Sequence, residues 1–177
     1  KNKYLPLIIS SSKKLKPVNY IERKGSAQCK SSVIFAGMRA EGETKIKAKK
    51  SRNHTEQLLK SLNYPIKVNK INNIDKISIN GLSQFKSFKH IIPGDISSAA
   101  FFIVLTILSN KSEMIIKNVN INESRIGIIK ILRRMGATIK LKNKKIYRGE
   151  NIADIFIKSS RKLKGINCPS NLNSSAI

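Results

Sequence analysis

The sequence predicts an α/β fold made of repeated units, and three features of the chain support this prediction. Short β-branched segments alternate with apolar helical segments along the chain. The segment "GSAQCKSSVIFAGM" (residues 25–38) is echoed by "GDISSAAFFIVLTI" (94–107), and each has a small, polar start followed by an apolar helix. Likewise "IISSSKKLKPVNY" (8–20) is echoed by "IKSSRKLKGINC" (157–168), which indicates a strand, a Ser-Ser turn, a basic element and a second short strand. The unit is therefore strand, strand, helix, strand, helix, strand, with a period of roughly 70 residues.

After its first helix, each copy continues in the same order. A strand, a helix and a strand follow at residues 42–48, 51–62 and 64–68 in one copy and at 111–117, 124–136 and 137–141 in the other. We refer to residues 25–68 as the first copy and to residues 94–141 as the second copy. Ser51-Arg52 and Ser124-Arg125 begin the second helices, and Asp95 occupies the N-cap position of the first helix in the second copy.

The ends of the chain predict a piece of a longer protein. The sequence has no initiating Met, and it stops at Ser174-Ser175-Ala176-Ile177, where the first helix of a third copy is expected to begin. We therefore expect truncation at the C-terminus. Between the two copies, the Pro-Gly pair of "HIIPGD" (residues 90–95) is where we expect the chain to change direction.

The charge of the chain is strongly positive, with 35 basic and 10 acidic residues and a formal net charge of +25. Such a balance invites a nucleic-acid-binding interpretation. The lysines are scattered singly and in pairs, however, and no long basic run or aromatic-studded strand is present. Because Lys, Asn and Ile are all encoded by A/T-rich codons, we interpret much of the charge as coding bias on a solvated surface.

The cysteines and the apolar segments limit the cellular context. Cys29 and Cys168 form no CxxC pattern and no disulfide framework, so we expect reduced thiols and a cytoplasmic protein. The longest apolar run, residues 99–108, is too short to span a bilayer. We therefore expect no membrane association.

The start of the first helix, Ser26-Ala27-Gln28, has two interpretations. A helix N-terminus attracts phosphate, Ser26 adds a hydroxyl donor, and the Gln28 amide both donates and accepts. The same residues also make an ordinary N-cap, and this reading stays open because most helices that start with Ser bind nothing. Ser51-Arg52 at the next helix start adds a second hydroxyl and a guanidinium, so the two helix starts could share one phosphate.

Several long motifs resemble those of one enzyme family. "GSAQCKSSVIFAGMRAEGETKI" and "SRNHTEQLL" are similar to the SAQ-x-KSA-x-LLAGL-x-AEG-x-T and SRDHTE-x-ML stretches of the EPSP synthase (3-phosphoshikimate 1-carboxyvinyltransferase) family. "LPLIISSSKKLKPVNY", "IPGDISSAAFFIV", "SRIGIIKILRRMGATI" and "ADIFIKSSRKLKGI" resemble further elements of that family, in the same order. The resemblance covers nearly the whole chain.

This resemblance implies an EPSP synthase-like fold, an inside-out α/β architecture of two domains. Each domain contains three repeated βαβαββ units, with helices inside and sheets outside, and the active site lies between the domains. Residues 1–92 would be the last unit of the first domain. Residues 93–177 would be the first unit of the second domain and the start of its second unit, so the chain would hold two partial domains.

The activity that the resemblance implies is transfer of the enolpyruvyl group of phosphoenolpyruvate to the 5-hydroxyl of shikimate 3-phosphate, with release of phosphate. Ser26, Ala27 and Gln28 would bind shikimate 3-phosphate, Gln28 would also reach phosphoenolpyruvate, and Ser51 and Arg52 would hold the 3-phosphate. No metal or organic cofactor is implied. The expected partners are these small-molecule substrates alone, with no nucleic acid, and we expect the full-length protein to be a monomer.

The resemblance also indicates what this chain lacks. The catalytic acid and base residues of the family lie outside it, so no catalytic residue is assigned here and the fragment is expected to be inactive alone. Asn53 replaces the usual Asp of the family's "RDHTE" string, which weakens any acid role at that position. His54 has no second His at metal-ligand spacing, so we expect it to be structural or to act through a neighbouring residue rather than to be a ligand. Asp95 is expected to be a helix cap.

Three other functions stay open as alternatives. UDP-N-acetylglucosamine enolpyruvyl transferase shares the fold but relies on a loop Cys, whereas Cys29 is expected in a helix and Cys168 in a strand. A basic nucleic-acid-binding module would require a clustered basic face. A non-catalytic interaction domain is the third alternative, and the truncated third repeat makes it less attractive.

Overall fold

The computed structural model describes residues 8, 10, 12–160 and 162–176. In these residues helices and strands alternate, as the sequence predicts. In chain order the elements are β1 (Asn19–Glu22), α1 (Ala27–Met38), β2 (Glu43–Lys49), α2 (His54–Ser61), β3 (Ile66–Ile71), β4 (Ile74–Asn80), α3 (Ile96–Leu108), β5 (Glu113–Asn120), α4 (Gly127–Arg134), β6 (Thr138–Tyr147), β7 (Glu150–Lys158) and α5 (Ser170–Ala176).

The chain forms two compact units. Unit 1 contains the chain up to Lys50 together with Pro65–Gln84, and unit 2 contains Ser51–Tyr64 together with the chain from Phe85 onward. The helix α2 therefore packs in unit 2. These units are defined by spatial contacts, whereas the predicted division between residues 92 and 93 concerns repeats and remains a prediction.

Unit 1 is a four-stranded sheet with the strand order β1-β2-β4-β3. The strand β1 is parallel to β2, while β4 is antiparallel to both β2 and β3. Side chains alternate along β2, so that Thr44, Ile46 and Ala48 are buried and their neighbours are exposed. This period of two gives the sheet one apolar face and one solvated face.

The core of unit 1 contains an ion pair as well as aliphatic side chains. Ile34 of α1 is fully buried, as is Ile79 of β4. Lys30, one turn before Ile34, is also completely buried, and its Nζ atom lies 3.7 Å from Oδ2 of Asp75 on β4. Because a buried ammonium is costly unless it is paired, Asp75 offsets part of the cost of placing Lys30 in the core.

Unit 2 contains a three-stranded antiparallel sheet with the strand order β5-β7-β6. The strands β6 and β7 are joined by a two-residue turn at Arg148 and Gly149, and both residues have positive φ values. This is the backbone conformation of the tight turns that match the twist of a hairpin. The turn places Glu150 at the first position of β7.

Helices α3 and α4 pack on this sheet around a core of Ile103, Ile107, Ile129 and Ile155. The helix α3 is apolar all around, and its other face exposes Phe101, Phe102, Leu105 and Leu108. The helix α5 approaches α4 at Gly127, where a Cβ atom would lie only 2.5 Å from Oγ of Ser175. Gly127 is therefore required for this close approach.

The structure confirms most of the predicted elements. The predicted helices at 25–38, 51–62, 94–107 and 124–136 are α1, α2, α3 and α4, and the predicted strands at 42–48, 64–68, 111–117 and 137–141 are β2, β3, β5 and β6. The order from β1 to β4 is βαβαββ, which is the unit that the family resemblance implies. The strand that should precede α3 is reduced to one parallel bridge between Gly94 and Val119.

Two predicted strands differ from the structure. The strand predicted around Cys168 is wrong, because residues 162–169 form no strand and Gly165 and Pro169 interrupt the segment. Of residues 8–20, only Asn19 and Tyr20 lie in a strand, although Leu15 forms a single bridge with Ala40. Residues 9 and 11 of that segment lie outside the described residues. In the part of the chain that the structure describes, no helix is both long and apolar enough to cross a bilayer.

The buried ion pair generates a stability prediction. The substitution Asp75→Ala removes the carboxylate that faces the buried Lys30, so the free energy of unfolding is expected to fall by about 3–5 kcal/mol. Equilibrium unfolding in urea measures this loss. The double variant Lys30→Met with Asp75→Leu is the control, and it is expected to regain most of the stability because it replaces the pair with apolar side chains. An unchanged urea midpoint for Asp75→Ala would contradict this account of the core.

Candidate functional site

The first candidate segment, Ser26-Ala27-Gln28, lies at the start of α1. Ser26 is the N-cap, and its Oγ atom accepts a hydrogen bond from the backbone N–H of Cys29 at 3.2 Å. Ser26 and Ala27 are half-buried and Gln28 is exposed. Ser26 therefore caps α1 through its side-chain oxygen, as the capping interpretation predicts. Its hydroxyl proton remains suited to a ligand, since a capping oxygen acts only as an acceptor.

A buried carboxylate, which the sequence analysis missed, organises the loop before α1. Oε1 of Glu22 accepts a hydrogen bond from the N–H of Lys24 at 2.7 Å, and Oε2 accepts one from the N–H of Gly25 at 2.6 Å. Burial opposes ionisation of Glu22, but hydrogen bonds from the N–H groups of Ser26, Lys24 and Gly25 hold the pKa of its carboxyl below the ordinary value. These backbone donors are therefore used inside the protein. Those three N–H groups are therefore not available to a ligand at this helix start, and the side chains of Ser26 and Gln28 remain as donors.

The second candidate pair, Ser51-Arg52, immediately precedes α2. Both residues are half-buried. Oγ of Ser51 is shielded from solvent and has no hydrogen-bond partner among the described residues. A buried hydroxyl without a partner is unusual in a folded protein. Ser51 is therefore a donor for which the described residues supply no acceptor.

The residues after Arg52 anchor α2 to other elements of unit 2. Asn53 is the N-cap but makes no side-chain capping bond. Its Oδ1 atom instead accepts a hydrogen bond from Nδ2 of Asn122 at 2.9 Å. Nδ1 of His54 lies 2.6 Å from Oε1 of Glu150 at the start of β7. The start of α2 is thus held from outside the helix.

Glu150 is the acceptor at the centre of this cluster. Its second oxygen, Oε2, accepts hydrogen bonds from Nδ2 of Asn122 at 3.0 Å and from Nδ2 of Asn120 at 3.2 Å. Burial raises the pKa of Glu150, but the hydrogen bonds from His54, Asn122 and Asn120 together lower it by more than burial raises it. The pKa of Glu150 therefore lies below its ordinary value. Glu150 is therefore a carboxylate, and Nδ1 of His54 must donate to it because a carboxylate only accepts. No local sequence pattern points to Glu150, because its partner His54 lies 96 residues away in the chain.

In the second copy of the repeat, the arginine that precedes the second helix forms an internal ion pair. Arg125 corresponds to Arg52, and its side chain is largely buried. Its Nη2 atom donates to Oδ1 of Asp95 at 3.0 Å and to Oγ of Ser97 at 2.5 Å. Asp95 also caps α3, since it accepts hydrogen bonds from the N–H of Ser98 at 3.0 Å and from its hydroxyl at 3.2 Å. The expected capping role of Asp95 is therefore confirmed.

A pocket of about 270 Å³ lies in unit 2 beside these groups. Its charged and titratable lining consists of His54, His90, Asp95, Arg125, Arg148 and Glu150. Ser51 and Arg52 do not line it. Asp95 and Glu150 neutralise part of the positive charge, so this pocket is electrostatically mixed rather than an open anion site.

The candidate residues are divided between the two units. Ser26, Ala27 and Gln28 belong to unit 1, whereas Ser51 and Arg52 belong to unit 2. Their joint role in one binding site remains a prediction. In the described residues, no group of three His, Cys, Asp or Glu side chains could hold a metal ion. Both Cys29 and Cys168 are free and exposed.

Comparisons with known proteins identify the family. The family model for EPSP synthase (3-phosphoshikimate 1-carboxyvinyltransferase) matches residues 1–172. A protein of Legionella pneumophila (strain Corby) with the name 3-phosphoshikimate 1-carboxyvinyltransferase is 44% identical over 165 residues, which are 93% of this chain and 37% of the relative. A protein of the same name from Ruthia magnifica subsp. Calyptogena magnifica is 45% identical over 177 residues, or 99% of this chain and 40% of the relative.

A solved structure confirms the predicted fold class. The structure of EPSP synthase from Acinetobacter baumannii matches with a TM-score of 0.79 and 40% identity, covering 91% of this chain and 36% of that protein. This chain thus spans well under half the length of the relatives that it matches. The matches to the family model, to the two relatives and to the solved fold agree, and the chain belongs to the EPSP synthase family.

Proposed function

We propose that the protein containing this chain is an enolpyruvyl transferase of the shikimate pathway. It transfers the enolpyruvyl group of phosphoenolpyruvate to the 5-hydroxyl of shikimate 3-phosphate and releases phosphate. The family membership and the names of the relatives support this activity. The substrates are small anions, so no nucleic acid or membrane is required, and we infer a cytoplasmic monomer without a metal or organic cofactor.

The structural observation behind the phosphate-binding part of this proposal is the pairing of Arg125 with Asp95 in the second copy. There the arginine before the second helix donates to the carboxylate that caps the first helix. In the first copy the corresponding residues are Arg52 and Ser26, and the acid is replaced by a neutral hydroxyl. A guanidinium is best paired with a carboxylate or a phosphate. The first copy therefore has the arginine but lacks the capping acid, so its guanidinium is suited to a phosphate ligand.

Each candidate residue then has a defined role in binding. Arg52 holds the 3-phosphate of shikimate 3-phosphate, and Ser51, whose hydroxyl has no partner among the described residues, donates to the same group. Ser26 donates its hydroxyl proton while its oxygen keeps the cap. Ala27 leaves the backbone accessible to the substrate. The exposed Gln28 amide contacts shikimate 3-phosphate and reaches phosphoenolpyruvate.

The acidic residues of this chain support a binding role rather than a catalytic one. The reaction protonates the methylene carbon of phosphoenolpyruvate, and this step needs a group that is protonated near neutral pH. Hydrogen bonds overcome the effect of burial at Glu22, Asp95 and Glu150, so that the pKa of each carboxyl lies below its ordinary value. All three are already engaged as acceptors. These three carboxylates are therefore not assigned as the acid, and the proposal follows the family resemblance in placing the acid and base groups in other parts of the longer protein.

The role of Arg52 is tested in the longer protein that contains this chain. The substitution Arg52→Ala is expected to raise KM for shikimate 3-phosphate at least about tenfold, because a charge-assisted hydrogen bond contributes roughly 1.5–3 kcal/mol. Steady-state kinetics with each substrate varied in turn measure the effect. Lys60→Ala is the matched control, since Lys60 is an exposed cation in the last turn of the same helix. Unchanged KM in Arg52→Ala would refute the phosphate assignment.

The role of Gln28 differs from that of Arg52 and gives a separate test. Because Gln28 is proposed to contact both substrates, Gln28→Ala is expected to raise KM for shikimate 3-phosphate and for phosphoenolpyruvate, whereas Arg52→Ala affects the former alone. The same kinetic measurements distinguish the two patterns. Cys29→Ser, at the adjacent exposed position, is expected to retain wild-type constants. An effect of Gln28→Ala on neither substrate would remove Gln28 from the site.

A further inference from the structure

The start of α2 is connected to β7 by a chain of side-chain hydrogen bonds that the family comparison does not assign to any function. His54 donates to Oε1 of Glu150, and Asn122 joins Oε2 of Glu150 to Oδ1 of Asn53. We propose that His54 and Asn53 are positioning residues, which fix the phosphate-binding residues Ser51 and Arg52 by tying the start of α2 to Glu150. This inference rests on the proposed function, since it specifies how part of the substrate site is held.

The helix itself is too short to fix its own start. The helix α2 contains 8 residues. Isolated helices shorter than about 12–15 residues are marginal in water, so the start of such a helix depends on tertiary contacts. An Asn at the N-cap ordinarily accepts from the backbone of its own first turn. Asn53 instead accepts from Asn122. Oδ1 of Asn53, which would ordinarily cap α2, instead connects the start of the helix to Asn122.

The anchors are adjacent to the residues that they position. Asn53 and His54 directly follow Arg52 in the sequence, so a rotation of the first turn of α2 displaces the guanidinium as well. Glu150 resists such a rotation, because it is fixed at the first position of β7 and receives hydrogen bonds from Asn120 and Asn122 in addition to His54. A misplacement of about 1 Å in a binding group is enough to cost a large factor in binding or rate.

The test uses two substitutions of His54 in the longer protein. Phe keeps a ring but has no nitrogen, whereas the Nδ2 atom of Asn is bonded to Cγ just as Nδ1 of His54 is, and can donate in its place. We expect His54→Phe to raise KM for shikimate 3-phosphate about tenfold, the loss expected for one charge-assisted hydrogen bond, with kcat changed less than about threefold. We expect His54→Asn to restore most of the affinity. Asp154→Asn is the matched control, because it neutralises a carboxylate on the same strand that contacts Asn118 and Asn143 instead.

A double-mutant cycle with Arg52→Ala separates positioning from a general loss of stability. If His54 acts through the Arg52 guanidinium, His54→Phe adds little to KM in the Arg52→Ala background, and the two effects are not additive. Fully additive effects, or equal KM values for His54→Phe and the wild type, would overturn the inference. A wild-type protein without enolpyruvyl transfer would instead refute the proposed function, so the two failures are distinguishable.

A second pair of variants applies if His54→Phe does not fold. Asn53→Ala removes the acceptor for Asn122, and Asn53→Asp keeps it. We expect Asn53→Ala to raise KM for shikimate 3-phosphate several-fold and Asn53→Asp to leave it within about twofold of the wild type. Equal KM values for the two Asn53 variants would also overturn the positioning role.

Discussion

A guanidinium precedes the second helix of each repeat and is best paired with an anion, and we propose that the identity of that anion distinguishes the two copies. In the second copy the protein supplies it internally, because Asp95 accepts from Arg125 while it caps α3. In the first copy Ser26 takes the place of Asp95. In our proposal the Arg125–Asp95 pair makes the second copy structural, whereas the first copy, with a hydroxyl in place of the acid, binds a phosphate ligand. One residue therefore distinguishes the roles that we propose for the two copies.

Two ionised glutamates fix the segments that carry the candidate residues, one before α1 and one at the start of α2. Glu22 accepts backbone N–H groups before α1, and Glu150 accepts side-chain donors at the start of α2. In both cases burial disfavours the charged form and the hydrogen bonds more than compensate for it. In a chain with a net charge of +25, such carboxylates act as fixed acceptors within a positive environment. Neither is available as a general acid, which agrees with the substrate-binding role that we propose for this chain.

Much of the fold could be predicted from the sequence because the repeat imposes the same order on both copies. The helix starts at Ser26 and Asp95 follow from local capping chemistry, and the strands follow from their β-branched alternation. The strand predicted near Cys168 does not form, because Gly165 and Pro169 in the same segment disfavour a strand. Local patterns also could not reveal Glu22 or Glu150. The importance of Glu150 depends on a partner 96 residues away, and no periodicity encodes such a contact. Helix-start chemistry singled out the candidate residues, motif resemblance gave them their substrate roles, and their shared role in one site stays a prediction.

The phosphate assignment of Arg52 is tested most directly by calorimetric titration of the longer protein with shikimate 3-phosphate and, separately, with shikimate. The two ligands differ only in the phosphate that Arg52 is proposed to hold. The account expects Arg52→Ala to weaken binding of shikimate 3-phosphate at least about tenfold and to leave the affinity for shikimate unchanged. Equal weakening of both ligands, or no weakening of either, would contradict the claim that this helix start binds the phosphate.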